Sequence, residues 1–173
     1  YVMKSGIVIA KYNVIDQVDS VIFYNPEAET GGTELTFDGA KIVVGDLEGN
    51  GNLRIEMYNE YGSTKDNPPL DPAAMVWSTK VEITFTLSGV TLKEGAVGSY
   101  DTALGIADAD WSTQYWGGGA GEIKVTGDGT YTVYAEAADH ATGLVFVLDL
   151  KGMGADIADL GAVTATVTKI VMY

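Results

Sequence analysis

The chain has 173 residues, of which 46% are hydrophobic and 20% charged, values typical of a globular domain with a sizeable core. Its 24 acidic and 10 basic residues give a net charge of −14, which argues against nucleic acid and membrane surfaces as partners but suits a neutral polymer or a cation. The absence of cysteine excludes disulfides, zinc–thiolate centres and thiol catalysis, and no apolar run reaches the ~20 residues of a membrane helix.

Twenty-two glycines and four prolines favour an all-β chain with many turns. Alternating apolar and polar runs, separated by turn residues, predict about ten strands. In chain order these strands are Gly6–Tyr12, Ser20–Tyr24, Glu34–Val44, Asn52–Asn59, Lys80–Ser88, Thr102–Ala107, Gln114–Trp116, Gly121–Thr126, Thr130–Ala137, Gly143–Leu150 and Ala162–Met172.

Two segments favour short helical turns instead of strands. Leu70–Met75 follows two prolines, with Asp71 in the capping position and Pro72 at the first helical position, and Ala155–Leu160 is the second segment. Because no long amphipathic helix is evident, a parallel fold with crossover helices is disfavoured. The pattern predicts an all-β fold, an antiparallel β-sandwich of the jelly-roll type, in a single domain over residues 1–173.

The strand at Asn52–Asn59 separates apolar from functional side chains by its alternation. One face is predicted to point into the core and carries Leu53, Ile55 and Met57. The opposite face carries three functional side chains in a row, namely Arg54, Glu56 and Tyr58. That row could form the floor of a binding groove, or it could be a solvated face with cross-strand ion pairs.

Two neighbouring features could shape the rest of such a groove. Tyr61 and Trp77 flank the polar loop 62–69, and either side chain could line the groove edge. The strand at Thr102–Ala107 has small residues opposite its core positions, and they would let a ligand approach the backbone closely. These small residues are Gly105, Ala107 and Ala109.

The segment 107–119 combines aromatic and polar side chains at high density. It contains two of the three tryptophans, Trp111 and Trp116, together with Gln114, Tyr115 and two aspartates. Aromatic rings can cover the C–H faces of sugar rings, while carboxylates and amides bond the hydroxyls at the rim. The segment therefore indicates carbohydrate binding, with burial of the tryptophans in the sandwich core as the alternative.

Alternating oxygen-bearing side chains raise the question of a calcium ion. Asp46–Gly51 resembles the start of a calcium loop, but Met57 occupies the position of the terminal glutamate, and a hairpin turn explains these residues equally well. Two aspartate pairs could also supply ligands, Asp108 with Asp110 and Asp16 with Asp19. A structural calcium ion therefore stays open, whereas the lone His140 fits an incidental loop residue.

Catalysis has one credible form in this sequence. The single histidine and the absence of a Gly-x-Ser-x-Gly elbow argue against nucleophilic triads. The enzyme alternative is a retaining glycosidase on a β-sandwich, which needs two carboxylic acids ~5–5.5 Å apart. Glu56 would be the nucleophile of such an enzyme, with Glu136 or Glu122 as its partner.

Three segments in combination carry a resemblance to a known class of domain. They are Asn-Leu-Arg-Ile-Glu-Met-Tyr-Asn-Glu-Tyr-Gly (52–62), Ala-Asp-Ala-Asp-Trp-Ser-Thr-Gln-Tyr-Trp-Gly (107–117) and Val-Thr-Gly-Asp-Gly-Thr-Tyr-Thr-Val (125–133). With them, the chain from about residue 34 onward resembles the non-catalytic β-sandwich carbohydrate-binding modules appended to secreted endoglucanases and related plant-cell-wall hydrolases of rumen and gut clostridia.

The resemblance implies a concave sheet face that binds β-glucan chains such as cellulose, mixed-linkage glucan or xyloglucan, with xylan and mannan left open. It assigns ring stacking to Trp111, Trp116 and Tyr58. It assigns hydroxyl bonding to Arg54, Gln114 and Asp110, and Tyr115 and Glu56 complete the predicted face. It also implies a monomeric, extracellular, secreted module, excised from a larger protein in which it targets an attached glycoside hydrolase to its substrate. A structural or adhesive cell-surface domain is the remaining class.

Overall fold

The computed structural model of the chain describes residues 31–136 and 143–173, together with the backbone of strand residues 9–10, 21–22 and 140–141. The chain divides into two compact units, Tyr1–Gly32 and Thr33–Tyr173. In the first unit, β1 (Ile9–Ala10) pairs with β2 (Val21–Ile22) in antiparallel fashion. Several sequence predictions lie outside the described residues: the remainder of the strands at Gly6–Tyr12 and Ser20–Tyr24, the pair Asp16 and Asp19, and the side chain of His140.

The second unit is built from antiparallel strands. They are β3 (Thr33–Glu34), β4 (Val43–Gly45), β5 (Leu53–Asn59), β6 (Val76–Trp77), β7 (Lys80–Ser88), β8 (Tyr100–Ala107), β9 (Gln114–Trp116), β10 (Lys124–Val125), β11 (Gly129–Glu136), β12 (His140–Ala141), β13 (Val145–Leu150) and β14 (Thr164–Met172). A six-stranded sheet has the order β10-β8-β13-β5-β4, and β9 pairs with β8 beside this path. A four-stranded sheet has the order β11-β7-β14-β3, and β6 pairs with β12.

The hydrophobic core draws side chains from both large sheets, as a sandwich requires. On β7 the predicted alternation is confirmed, because its apolar side chains are fully buried and the intervening positions are more exposed. The six-stranded sheet contributes Phe146 and Leu148 of β13 to the same cluster. Full burial of side chains of this size contributes about 1.5–3 kcal/mol each. The predicted all-β antiparallel sandwich is therefore confirmed.

Short helical segments occupy the connections. They are α1 (Met153–Asp156) and three 3-10 turns at Gly39–Lys41, Pro72–Ala74 and Leu160–Ala162. Asp71 caps the second turn as predicted, since its carboxylate accepts from the Ala73 amide at 2.9 Å. The single strand predicted over Glu34–Val44 is wrong, because the first 3-10 turn separates β3 from β4. None of the helices within the described ranges is long and apolar enough to cross a membrane.

A bulge in β5 changes which of its side chains face the core. Tyr58 pairs with Phe146, whereas Glu56 pairs with Val147, so Met57 is an extra residue on this strand. Beyond the bulge the alternation is shifted by one position. Met57 and Tyr58 both lie in the main hydrophobic cluster, and Tyr58 is only 6% exposed. The predicted placement of Tyr58 beside Arg54 and Glu56 is therefore wrong.

Trp77, the third tryptophan, belongs to the core. It lies on β6 and is 3% exposed within the main hydrophobic cluster. The interpretation of Trp77 as an edge of the binding groove is therefore wrong. Its burial leaves Trp111 and Trp116 as the exposed tryptophans among the described residues.

Candidate functional site

Three exposed aromatic side chains stack on one another in a row that lines one cleft. The ring centroids of Tyr61 and Trp111 are 6.1 Å apart, and those of Trp111 and Trp116 are 6.4 Å apart. The ring planes differ by only 17° in the first pair and 20° in the second. Exposure is 71% for Tyr61, 39% for Trp111 and 47% for Trp116. Because Trp111 contacts both neighbours, it is the middle ring of a near-parallel aromatic row.

The turn that carries Trp111 is held by carboxylates. Asp108 accepts from the Ser112 hydroxyl at 2.8 Å and from the Thr113 amide at 3.1 Å, while Asp110 accepts from the Ser112 amide at 3.0 Å. Partial burial raises the pKa of Asp108, but these hydrogen bonds outweigh it and leave the pKa below its ordinary value. The aspartates at 108 and 110 thus serve the turn, and Asp110 is absent from the cleft lining.

Trp111 has a strained backbone at the centre of this turn. Its φ of +60° is the one positive value of a non-glycine residue within the described part of the chain. The left-handed region costs a residue with a Cβ about 1–2 kcal/mol, and such strain persists where the surroundings enforce it. This signal is absent from the sequence pattern, and it singles out Trp111 as a side chain held in place at an energetic cost.

Gln114 joins the two tryptophans. Its Nε2 donates to the Trp111 carbonyl at 3.0 Å, and its Oε1 accepts from the indole Nε1 of Trp116 at 2.9 Å. The amide predicted to bond sugar hydroxyls therefore orients the rings, and it retains one donor and one acceptor position for other partners.

Trp116 lies over Gly105, one of the small residues predicted to let a ligand approach the backbone closely. A Cβ on Gly105 would be 2.8 Å from the Trp116 ring and 2.9 Å from Val147. Gly105 and Trp116 are directly paired in the β8–β9 register. Ala107 is fully buried in a small apolar cluster on the same sheet. The space beside the small residues of β8 is thus filled by protein side chains, and the Trp116 ring packs on Gly105.

Polar side chains also line the cleft, which has a volume of about 320 Å³. The lining residues are Glu48, Asn50, Arg54, Asn59, Tyr61, Trp111, Trp116 and Val145. A ligand in this space meets both aromatic rings and polar side chains. Sites for small polar ligands share this combination of apolar surface with a few directed polar groups.

Two carboxylates hold Arg54 in place in the cleft lining. Its Nε and one terminal nitrogen donate to Asp149 at 2.7 Å and 2.9 Å, and the other terminal nitrogen bonds Glu48. The hydrogen bonds to Asp149 raise the pKa of the guanidinium, although burial opposes this effect. Both carboxylates pair with the guanidinium of Arg54, so this residue offers no unpaired positive charge to a ligand.

Glu56 is enclosed beneath the loop that follows β5. It is 1% exposed, and its Oε1 accepts from the amide of Thr64 at 2.9 Å and from the hydroxyl of Thr64 at 3.0 Å. Its Oε2 accepts from Asn59 Nδ2 at 3.3 Å. The prediction that Glu56 forms part of an open binding face is wrong, because the loop covers the carboxylate.

Tyr58 and Glu60 form a separate pair beside this loop. The Tyr58 hydroxyl donates to Glu60 Oε2 at 2.6 Å, and Lys65 Nζ lies 3.1 Å from Glu60 Oε1. The hydrogen bond to Glu60, aided by burial, raises the pKa of Tyr58 to about 12. The same hydrogen bond, with Lys65, lowers the pKa of Glu60. Tyr58 therefore supports the loop instead of a ligand.

Tyr115 points to the core side of β9. Its ring packs against the main hydrophobic cluster, and its hydroxyl is buried. Burial raises the pKa of Tyr115, and the charge of Glu122 adds to this rise. The alternation of β9 therefore separates Tyr115 from the exposed Trp116, and the predicted place of Tyr115 on the binding face is wrong.

The acids of the glycosidase alternative do not form a pair. Glu56 is enclosed, and the strands β13 and β8 lie between β5 and β10, which Glu122 precedes. A Cβ on Gly117 would contact both Glu122 Oε1 and, at 2.9 Å, Ala103 of β8, so the Glu122 carboxylate lies near β8. The two strand spacings from β8 to β5 correspond to about 10 Å, beyond the separation that a retaining pair needs. Glu136 is exposed at the end of β11 in the other sheet. The geometry therefore argues against Glu56 as a nucleophile with either partner.

The aspartate of the calcium-like segment, Asp46, closes a hairpin. Asp46 Oδ1 accepts from the Asn50 amide at 3.0 Å and from the Gly51 amide at 3.1 Å, which closes the turn between β4 and β5. Within residues 31–136 and 143–173, no group of three or more His, Cys, Asp or Glu side chains is arranged to hold a metal ion. The hairpin alone thus accounts for Asp46.

Comparisons with known proteins give little further guidance. No family model matches the chain, and no curated protein matches it. A solved structure named "BiXyn10A CBM1 APO" is similar to it, with 13% identity over 83% of this chain and 93% of that chain, and with a TM-score of 0.31.

Proposed function

We propose that this chain is a non-catalytic carbohydrate-binding module whose ligand is a neutral plant cell-wall polysaccharide of the β-glucan type. One observation supports this function above others. The exposed, near-parallel rings of Trp111 and Trp116 lie in one cleft with the exposed polar side chains of Glu48 and Asn50. The faces of β-linked sugar rings are apolar and their rims carry hydroxyls, which matches this combination of aromatic and polar side chains.

The electrostatics of the chain favour a neutral ligand within this class. The net charge is −14, and the guanidinium of Arg54 in the cleft is already paired with Asp149 and Glu48. A polymer that carries carboxylates would be repelled by the negative charge of the chain, and the paired guanidinium of Arg54 would not offset that repulsion. In the proposed role, the module acts outside the cell and raises the local concentration of an attached glycoside hydrolase at its substrate.

Affinity electrophoresis against a panel of soluble polysaccharides tests the proposal. The panel contains hydroxyethylcellulose, mixed-linkage glucan, xyloglucan, xylan and mannan, and we expect a β-glucan to retard the chain. Trp111→Ala and Trp116→Ala should each weaken retardation at least tenfold, which corresponds to about 1.4 kcal/mol. Val97→Ala is the matched control, because Val97 is a large exposed hydrophobic residue that is absent from the cleft lining.

A second readout separates binding from catalysis. The chain should release no reducing sugar from a polymer that retards it. Sugar release that disappears in Glu56→Gln would replace the proposal with the glycosidase alternative. Unchanged retardation in both tryptophan variants would contradict the assignment of the cleft.

A further inference from the structure

We infer that Tyr61 forms a third sugar-stacking position and that the buried Glu56 is the positioning residue that fixes the loop carrying it. This inference rests on the proposed function and extends the site from two rings to three. The ligand would then be a chain long enough to cover Tyr61, Trp111 and Trp116 together.

Tyr61 extends the aromatic row from a distant part of the sequence. It lies in the loop after β5, whereas Trp111 and Trp116 belong to the segment around β9. Its ring is nevertheless within 6.1 Å and 17° of Trp111. The ring stacks on Trp111 yet stays 71% exposed, so most of its surface is open to a ligand in the same cleft.

Backbone hydrogen bonds hold the loop around Tyr61. The Tyr61 amide donates to Asn59 Oδ1 at 3.0 Å, and the Gly62 amide donates to the Asn59 carbonyl at 3.0 Å. The preceding amide, of Glu60, donates to the Leu144 carbonyl at 2.9 Å. The segment is therefore a tight turn whose conformation depends on Asn59.

Glu56 fixes both ends of this turn from below. Its carboxylate bonds Asn59 Nδ2 at one end, and the amide and hydroxyl of Thr64 at the other. The Thr64 hydroxyl in turn accepts from the Asn59 amide at 2.8 Å. A Cβ on Gly62 would be 2.5 Å from Glu56 Oε2, so the loop closes directly over the carboxylate.

Burial of a carboxylate is costly unless hydrogen bonds compensate for it. An apolar residue at position 56 would suit the neighbouring Val147, which pairs with it across the sheet. What Glu56 adds is a set of acceptors for the loop donors of Asn59 and Thr64. Its distinctive contribution is therefore to the loop, and through the loop to the position of Tyr61.

Isothermal titration with cello-oligosaccharides of increasing length tests the third position. In the wild-type chain, affinity should rise until the ligand covers all three rings. Tyr61→Ala should lose about five- to tenfold in affinity for the long ligands and little for the short ones, since stacking on one ring is removed. Tyr61→Phe retains the ring and should recover the affinity for long ligands that Tyr61→Ala loses.

Glu56→Gln tests the positioning role. We expect it to reduce affinity for long ligands as Tyr61→Ala does, and to add nothing when combined with Tyr61→Ala, because both changes act on the same ring. A general structural role would instead weaken short ligands too and add to the effect of Tyr61→Ala. Thr64→Val removes the hydroxyl that donates to Glu56 and accepts from the Asn59 amide, and it provides a second test of the loop if Glu56→Gln does not fold.

The two levels of the proposal fail in different ways. Absence of binding by the wild-type chain at any length would contradict the β-glucan function, and the third position with it. Binding by the wild-type chain that is lost in Trp111→Ala but equal in Tyr61→Ala at every length would overturn the third position alone. An additive effect of Glu56→Gln would overturn its positioning role.

Discussion

The side-chain amide of Gln114 donates a 3.0 Å hydrogen bond to the backbone carbonyl of Trp111. The same amide accepts from the indole Nε1 of Trp116 at 2.9 Å, so one side chain links the backbone under one ring to the edge of the next. Two hydrogen bonds at these distances favour a single relative orientation of the rings. Stacking on a rigid ligand benefits from this arrangement, because the rings need not be ordered on binding.

Replacement of Gln114 should weaken ligand binding through the tryptophans. We expect Gln114→Ala to lose about 0.5–1.5 kcal/mol in binding free energy, the usual contribution of a hydrogen bond. The measurement is titration of tryptophan fluorescence with the polysaccharide that retards the wild-type chain. Gln114→Glu retains an acceptor for Trp116 but places a carboxylate oxygen against the Trp111 carbonyl, and it should lose at least as much as Gln114→Ala. Equal binding by all three proteins would contradict the role of this amide.

Gly105 sets how closely the Trp116 ring can approach the sheet. A Cβ at this position would be 2.8 Å from the Trp116 ring and 2.9 Å from Val147, so Gly105→Ala forces a shift in at least one of them. We expect a loss of about 1–3 kcal/mol in the free energy of unfolding, measured in urea.

Two comparisons isolate this effect of Gly105. Trp116→Ala should relieve part of the cost of Gly105→Ala, because it removes the ring that the new Cβ meets. Gly39→Ala serves as a control, since its Cβ would have its nearest neighbour at 3.9 Å, an ordinary contact. Equal stability of Gly105→Ala and the wild type would show that Trp116 does not pack on Gly105.

The sandwich is predictable from sequence because burial imposes alternation on each strand. Lys80–Ser88 shows this well, with the same bounds and the same buried face in sequence and structure. The same alternation gives the wrong face for Tyr58, because the bulge at Met57 shifts the alternation and no glycine or proline marks the bulge in the sequence. One extra residue is enough to move a tyrosine from the predicted groove to the core.

The cleft is predictable only in part, since its side chains come from segments far apart in the sequence. The density of aromatic residues around Trp111 is a local signal, and by itself it indicates a binding segment. Tyr61 joins that segment only through tertiary packing, and no local pattern specifies that contact. The burial of Glu56 likewise depends on a loop that folds back over it, so an acid on the predicted outer face becomes an internal anchor.

The turn around Trp111 should lose stability in acid. The pKa of Asp108 is below its ordinary value of 3.8 in the folded chain, so the folded turn favours the ionised carboxylate. The stabilisation is therefore present above pH 3.8 and is lost as the pH falls through the lowered pKa. Polysaccharide affinity, measured by tryptophan fluorescence across this range, should decline as Asp108 becomes protonated.

Asp108→Asn distinguishes this residue from the other carboxylates of the chain. The variant should bind more weakly than the wild type at neutral pH, because an amide provides a weaker acceptor for Ser112 and Thr113. The difference between the two proteins should shrink as the pH falls. A difference that stays constant down to acid pH would assign the effect to some other group.

The backbone of Trp111 allows a comparison between stability and function at one position. Trp111→Gly and Trp111→Ala both remove the indole, so both should lose polysaccharide binding to a similar degree. Glycine adopts the observed φ of +60° without the cost of about 1–2 kcal/mol that a residue with a Cβ carries. The greater conformational entropy of glycine in the unfolded chain offsets about 0.4–1 kcal/mol of this stabilisation. Trp111→Gly should therefore be more stable to urea than Trp111→Ala by about 1 kcal/mol. If Trp111→Ala proves as stable as Trp111→Gly, residue 111 does not hold the left-handed conformation in solution.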